Sequence, residues 1–244
     1  MAGLPAGIRG CLFDMDGVLT ETASVHDAAW KEAFDAFLRV RAQSTGEPFV
    51  PFDPVRDYDE YVDGKPREEG TESFLASRGI SLAAGQPDDP PGTPTIHGIS
   101  NAKNEILLRH LRTDGVRAYP GSVRYVKAVR DAGLRLAVVS SSANTQEVLA
   151  AAGIEDLFEA RIDGVVAAAQ HLRGKPAPDA YLAGAQALSL GPDACAVFED
   201  ALAGVEAGRA GQFGFVVGVD RVGQASELRE HGATVVVEDL ADLL

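Results

Sequence analysis

The sequence predicts an α/β protein whose doubly wound parallel sheet is interrupted, soon after its first strand, by a helical insertion. Three observations carry this. Short apolar runs alternate with helical patterns through the second half of the chain, as in sheets built from strand–helix–strand units. Several of those runs end in acidic or hydroxyl residues. Residues 24–117 show helical patterns with no buried strand between them.

The first run, IRGCLFD at 8–14, is short, apolar and closed by an acid, which predicts a buried strand with chemistry at its C-terminal tip. LRLAVVSSS (134–142), ACAVFED (194–200), FGFVVGV (213–219) and ATVVVED (233–239) are further short apolar runs, several of them ending in polar or acidic residues. Helical patterns at 120–132, 144–152, 178–189, 201–210 and 223–231 lie between them. Within the insertion, helices are predicted at 25–42, 67–78 and 99–112, separated by the Pro/Gly/Asp-rich segments FVPFDPVRDYDEYVDGKP and GQPDDPPGTPTIHG. The expected domains are therefore a core of 1–23 with 118–244 and a helical domain of 24–117.

Composition narrows the function. The chain has 244 residues, 45% hydrophobic and 24% charged, the profile of an ordinary globular protein. No apolar run approaches the roughly 20 residues that span a bilayer. The N-terminus MAGLPAGIRG lacks the charged and apolar segments of a signal peptide, so a cytoplasmic location is expected. A net charge of −14 argues against nucleic acid and anionic membrane surfaces as partners, because both need a basic footprint. Cys11 and Cys195 fall in apolar runs and are expected to be buried, reduced core residues.

Four clusters carry chemistry. Asp14 and Asp16, in Asp14-Met15-Asp16-Gly17, stand two residues apart just past a strand. One carboxylate there is placed to attack phosphorus while its neighbour manages protons, and both suit a divalent cation. Ser140, Ser141 and Ser142 follow the second run, with Asn144 opening a helix, which makes a phosphate site or an ordinary helix cap. Lys175 sits in Gly-Lys-Pro-Ala-Pro-Asp, a cation between stiffening prolines. Glu199 and Asp200 end VFED as paired acids suited to Mg²⁺, with helix capping by Asp200 the competing explanation.

Aspartates, then hydroxyl, then lysine, then paired acids, each after a successive strand, resemble the haloacid dehalogenase superfamily over the whole chain. The insertion narrows the likeness. Thr22, His26 and Trp30 in DMDGVLTETASVHDAAW, Gly64-Lys65-Pro66-Arg67-Glu68 and Lys103-Asn104 are similar to segments of the β-phosphoglucomutases. The resemblance implies a Rossmann-like core with a small helical cap, and a Mg²⁺-dependent phosphotransferase acting on a sugar phosphate. It implies Asp14 as nucleophile and Asp16 as general acid/base. Ser140 and Lys175 would hold the transferring phosphate, with Asp14, Asp16, Glu199 and Asp200 around the metal. Arg67, Ser142 and Asn144 would hold the distal phosphate, and Gly64 would belong to the same substrate-binding cap segment as Arg67. Thr22, His26 and Lys103 would couple substrate binding or cap closure to the position of Asp16.

Trp30 and Phe34 have helical spacing and are expected in the core rather than the site, while Lys65 reads as a solvated loop cation. Two departures stand out. Ala143 occupies a position where the family commonly has lysine, and Ala201 one where it often has serine. Interconversion of β-glucose 1-phosphate and glucose 6-phosphate through a bisphosphate is the expected activity. A sugar-phosphate phosphatase is the alternative, and a non-catalytic sugar-phosphate sensor a remote one. A monomer or weak homodimer is expected.

Overall fold

The computed structural model describes residues 3–244 and separates into two compact units, Met1–Glu21 with Val116–Leu244, and Thr22–Gly115.

The first unit is built on a six-stranded sheet: β1 (Gly10–Phe13), β2 (Arg135–Val139), β3 (Ala160–Ile162), β4 (Cys195–Glu199), β5 (Phe215–Val219) and β6 (Val235–Val237). The strands run in the order β3-β2-β1-β4-β5-β6, and every pair is parallel. From β1 the chain steps outward to β2 and β3, then returns to place β4 on the other side of β1. The order therefore reverses between β1 and β4, the point where open α/β sheets bind ligands beyond their strand ends.

Burial on both faces explains why the inner strands read as continuous apolar runs. On one face Leu12, Val139, Val197 and Cys195 pack with Tyr181 and Ala185 of α8 (Asp179–Ala187) and with its C-cap Leu188. On the other, Phe13 stacks on Phe198 with ring centroids 4.4 Å apart, and Tyr125 of α5 (Pro120–Asp131) closes against both rings. Cys11 and Cys195 are buried and free, as expected. Burial pushes both thiols up, Cys195 to about 11.

The remaining helices of this unit are α6 (Thr145–Ala151), α7 (Gly164–Gln170), α9 (Leu202–Ala210) and α10 (Ala225–His231). Strand β3 and helix α7 were not expected from the sequence. β3 is three residues long with only Ile162 buried, too short to show a period. Helix α9 removes the alternative reading of Asp200: its N-cap is Ala201, so capping does not account for Asp200.

The second unit holds α1 (Ala23–Thr45), α2 (Arg56–Tyr61), α3 (Arg67–Ser77) and α4 (Ile96–Asp114). Trp30, Phe34, Phe52 and Phe74 form its aromatic centre, with Phe34 and Phe74 at 4.2 Å. Trp30 and Phe34 are core residues, as their spacing predicts. Helix α2 lies inside a segment expected to be a connector. It is anchored by buried Asp57, which accepts from Arg78 at 2.6 Å and from the Asp53 backbone N–H at 2.9 Å. None of the described helices is long and apolar enough to cross a membrane.

Candidate active site

Asp14 is the first residue past β1. Its N–H donates to Phe198 O at 3.0 Å, which continues the β1–β4 ladder by one rung and holds the nucleophile candidate against the neighbouring strand end. Glu199 is the last residue of β4, and Lys175 spans the two tips. Its Nζ donates to Asp14 Oδ1 at 2.6 Å and also to Glu199 Oε1. The three are only 7%, 3% and 0% exposed. Glu199 is held further by Tyr181, whose hydroxyl donates to Oε1 at 2.8 Å, and by the Ala201 N–H on Oε2 at 3.1 Å.

The electrostatics are uneven. Burial pushes the Asp14 carboxyl well up; the Lys175 ammonium opposes this, and the negative charges of Glu199 and Asp16 reinforce it. Burial alone would lower Lys175, but the carboxylates of Asp14 and Glu199 outweigh it and hold the ammonium above its usual range. Lys175 pairs with Asp14 and Glu199, while Asp16 and Asp200 add further negative charge beside them. A hard divalent cation would relieve the excess, and the donors suit one: oxygens of Asp14, Glu199 and Asp200 lie within 4.8 Å of one another.

The loop from Asp14 to Thr20 is tightly wound. Gly17 has φ +79°, and a Cβ there would lie 1.7 Å from Asp200 Oδ2, so only glycine lets the two acidic loops meet. Gly204 serves α9 likewise, since a Cβ there would run into the Glu199 carboxylate.

At the tip of β2, Ser140 is buried, its N–H donates to Ile162 O at 2.9 Å, and its Oγ accepts from Ser142 N at 3.1 Å. Ser142 Oγ accepts from Asn144 N at 3.2 Å. Asn144 is the N-cap residue of α6, without a side-chain cap bond. β2 is the other neighbour of β1, so the serine loop, Asp14 and Glu199 close three adjacent strands.

Thr22, His26, Gly64, Arg67 and Lys103 belong to the helical unit. Thr22 is buried at the start of α1, and its carbonyl accepts from His26 N. Buried Lys103 places Nζ 2.9 Å from His26 Nδ1 and 4.8 Å from the Trp30 ring centroid. An ammonium only donates, so Nδ1 is the acceptor in that pair. Gly64 takes φ +70° in the turn before α3. Arg67 opens α3, with Nε and Nη2 donating to Glu68 Oε1 at 3.2 and 3.1 Å. Lys65 is not the solvated cation expected: it donates to Tyr61 O at 2.9 Å and Ser73 Oγ at 3.0 Å.

The sequence profile of haloacid dehalogenase-like hydrolases matches residues 8–212. The chain belongs to this superfamily. A β-phosphoglucomutase of Mycobacterium bovis is 57% identical over 99% of this chain and 94% of its own. The β-phosphoglucomutase of Bacillus subtilis is 31% identical over 97% and 92%. The crystal structure of a β-phosphoglucomutase from Clostridium difficile superposes with a TM-score of 0.76 at 25% identity, covering 97% of this chain and 93% of that one. Within the superfamily, the chain is a β-phosphoglucomutase-like enzyme.

Sequence reasoning missed three residues in the core-unit site. Tyr181 follows Lys175 by six residues and looks like an ordinary helix aromatic. Arg221 and Gln224 lie beyond the matched profile and donate to backbone carbonyls, contacts that leave no pattern in a sequence.

Proposed function

We propose that the protein is a β-phosphoglucomutase that interconverts β-glucose 1-phosphate and glucose 6-phosphate through an aspartyl phosphate and a bisphosphate. The observation that carries this reading is the Asp14–Lys175–Glu199 junction at the strand-order reversal, in a chain 57% identical to a protein of that name.

In this reading an Asp14 carboxylate oxygen attacks phosphorus as the bond to the sugar oxygen breaks. Asp16 gives that oxygen its proton and later takes one from the incoming hydroxyl. Lys175 supplies fixed positive charge beside the attacking group, and Ser140 with nearby N–H groups receives phosphate oxygens. Asp14, Asp16, Glu199 and Asp200 would hold Mg²⁺. When bound, it supplies the charge that lets an anionic carboxylate approach an anionic phosphate. Arg67, with Gly64, Ser142 and Asn144, is assigned the phosphate that is not transferred, by the bidentate grip open to a guanidinium. Thr22, His26 and Lys103 are assigned to coupling substrate binding to Asp16.

One observation favours the phosphatase reading. Arg67 is already engaged by Glu68, and Ala143 offers no cation beside Ser142 and Asn144. The test supplies β-glucose 1-phosphate, Mg²⁺ and a trace of the 1,6-bisphosphate, then follows glucose 6-phosphate and free phosphate together. Glucose 6-phosphate should form much faster than phosphate. Arg67→Ala should depress isomerisation about tenfold to a hundredfold, the effect of losing one charge-assisted contact. Phosphate release in step with sugar consumption would replace the mutase with a phosphatase.

A further inference from the structure

The loop between β5 and α10 touches both acidic loops. Arg221 Nε donates to Gly17 O at 2.7 Å, and Gln224 Nε2 donates to Asp200 O at 3.0 Å. The loop is itself stiff. Asp220 Oδ1 accepts from the N–H groups of Val222, Gly223 and Gln224, and Asp220 N donates to Val237 O. Arg221 is fixed again by Nη1 donating to Glu238 O at 2.8 Å, and by its guanidinium stacking 3.7 Å over the Tyr119 ring.

The backbone around Asp16 shows what this contact does. On one side, Met15 O accepts from the N–H and the hydroxyl of Thr20. On the other, Gly17 N donates to Thr20 O. Those bonds close the turn upon itself without fixing it to the rest of the unit. Groups from outside do that: the Tyr119 N–H on Leu19 O at 2.9 Å, the Ser122 hydroxyl on Val18 O at 2.7 Å, and Arg221 on Gly17 O, of these the nearest in sequence to Asp16. Arg221 Nη2 is buried without a protein acceptor.

We infer that Arg221 is a positioning residue that fixes Asp16 for proton transfer by holding the Gly17 carbonyl. The inference rests on the acid role proposed above for Asp16. A misplaced acid slows departure of a sugar oxygen, which must leave protonated. It matters less for p-nitrophenyl phosphate, whose nitrophenolate leaves without a proton. In both cases the Asp14 O–P bond forms as the P–O bond to the leaving group breaks.

The test compares Arg221→Met and Arg221→Lys with the unaltered protein, using kcat/KM for β-glucose 1-phosphate and for p-nitrophenyl phosphate. For the aryl phosphate that quantity reports events up to nitrophenolate departure. For the sugar phosphate it reports phosphoryl transfer to or from a sugar oxygen, where Asp16 takes or gives the proton. The loss with the sugar phosphate should exceed the loss with the aryl phosphate by about tenfold or more, within reach of what a general acid contributes. Lysine, which keeps one donor, should fall between arginine and methionine. Circular dichroism and thermal unfolding verify folding; if the methionine variant does not fold, the lysine variant carries the comparison. Equal losses with both substrates, or no loss with either, would overturn the inference. A protein that releases phosphate instead of isomerising would end the mutase reading yet leave this comparison readable, because hydrolysis of the same sugar ester makes the same proton demand.

Discussion

The Tyr181 hydroxyl donates to Glu199 Oε1 at 2.8 Å while the face of the same ring lies 5.2 Å below the Lys175 ammonium. One side chain thus steadies both the carboxylate and the cation that pair with it. Burial, reinforced by Glu199, holds the phenol far above its ordinary range, so it stays a neutral donor.

Tyr181→Phe keeps the ring under Lys175 and deletes the bond to Glu199. A hydrogen bond to a charged group contributes about 1.5–3 kcal/mol, and Glu199 retains Lys175 and the Ala201 N–H. Turnover should therefore fall about threefold to thirtyfold, with the melting temperature only slightly lowered. Steady-state kinetics beside a thermal scan check this. Unchanged turnover would show that Lys175 and the Ala201 N–H suffice to fix Glu199.

The oxygen cluster of Asp14, Glu199 and Asp200 leads to a metal prediction. Turnover should vanish with chelator and return with Mg²⁺. Asp200→Ala should raise the Mg²⁺ concentration for half-activation about tenfold or more, since Mg²⁺ sites rely on few carboxylates. Titration calorimetry of the metal-free protein should show the same weakening without any substrate present. Full activity in metal-free buffer would remove the metal from the mechanism.

Asp27, on α1, gives a pH prediction for stability. Burial pushes its carboxyl up to about 6, with Asp59 and Asp53 adding to the shift and Lys31 opposing it, and Oδ1 is buried without a hydrogen-bond partner. The folded chain therefore holds this proton more tightly than the unfolded chain, whose value is near 3.8. Between those two values stability falls as pH rises, and the loss persists at neutral pH. Asp27→Asn should flatten this part of the profile. At pH 7.5 it should stabilise the protein by about 1 kcal/mol after allowance for partial exposure. Urea unfolding of both proteins at pH 4.5 and 7.5 measures the difference; a parallel pair of profiles would contradict it.

The inner strands were legible because both of their faces are buried, which forces an apolar run, and because each run stops where Asp14, Ser140 and Glu199 begin. Strand β3 was not: at the sheet edge it carries Arg161, whose Nε donates to Asp163 Oδ2 at 2.6 Å instead of joining a core. Helix α2 hid among prolines and acids because its anchor is the Asp57–Arg78 pair, which no hydrophobic period reports. Asp200 could be read from the sequence as a metal ligand or as a helix cap, because an acid before a helix usually is a cap. Its packing against Gly17 depends on a glycine far away in the chain and shows only in three dimensions.

The strand order also governs when the site exists during synthesis. β1 is the first strand made, yet it lies inside the sheet, and its two partners end at Val139 and Glu199. The helical unit is one continuous stretch, Thr22–Gly115, and the members of its aromatic core cluster all lie within it. On a ribosome that stretch has all its partners while Cys11, Leu12 and Phe13 still lack both neighbouring strands. Asp14 meets Lys175 and Glu199 only after about four-fifths of the chain has emerged, so a nascent chain carries this carboxylate well before the groups that pair with it.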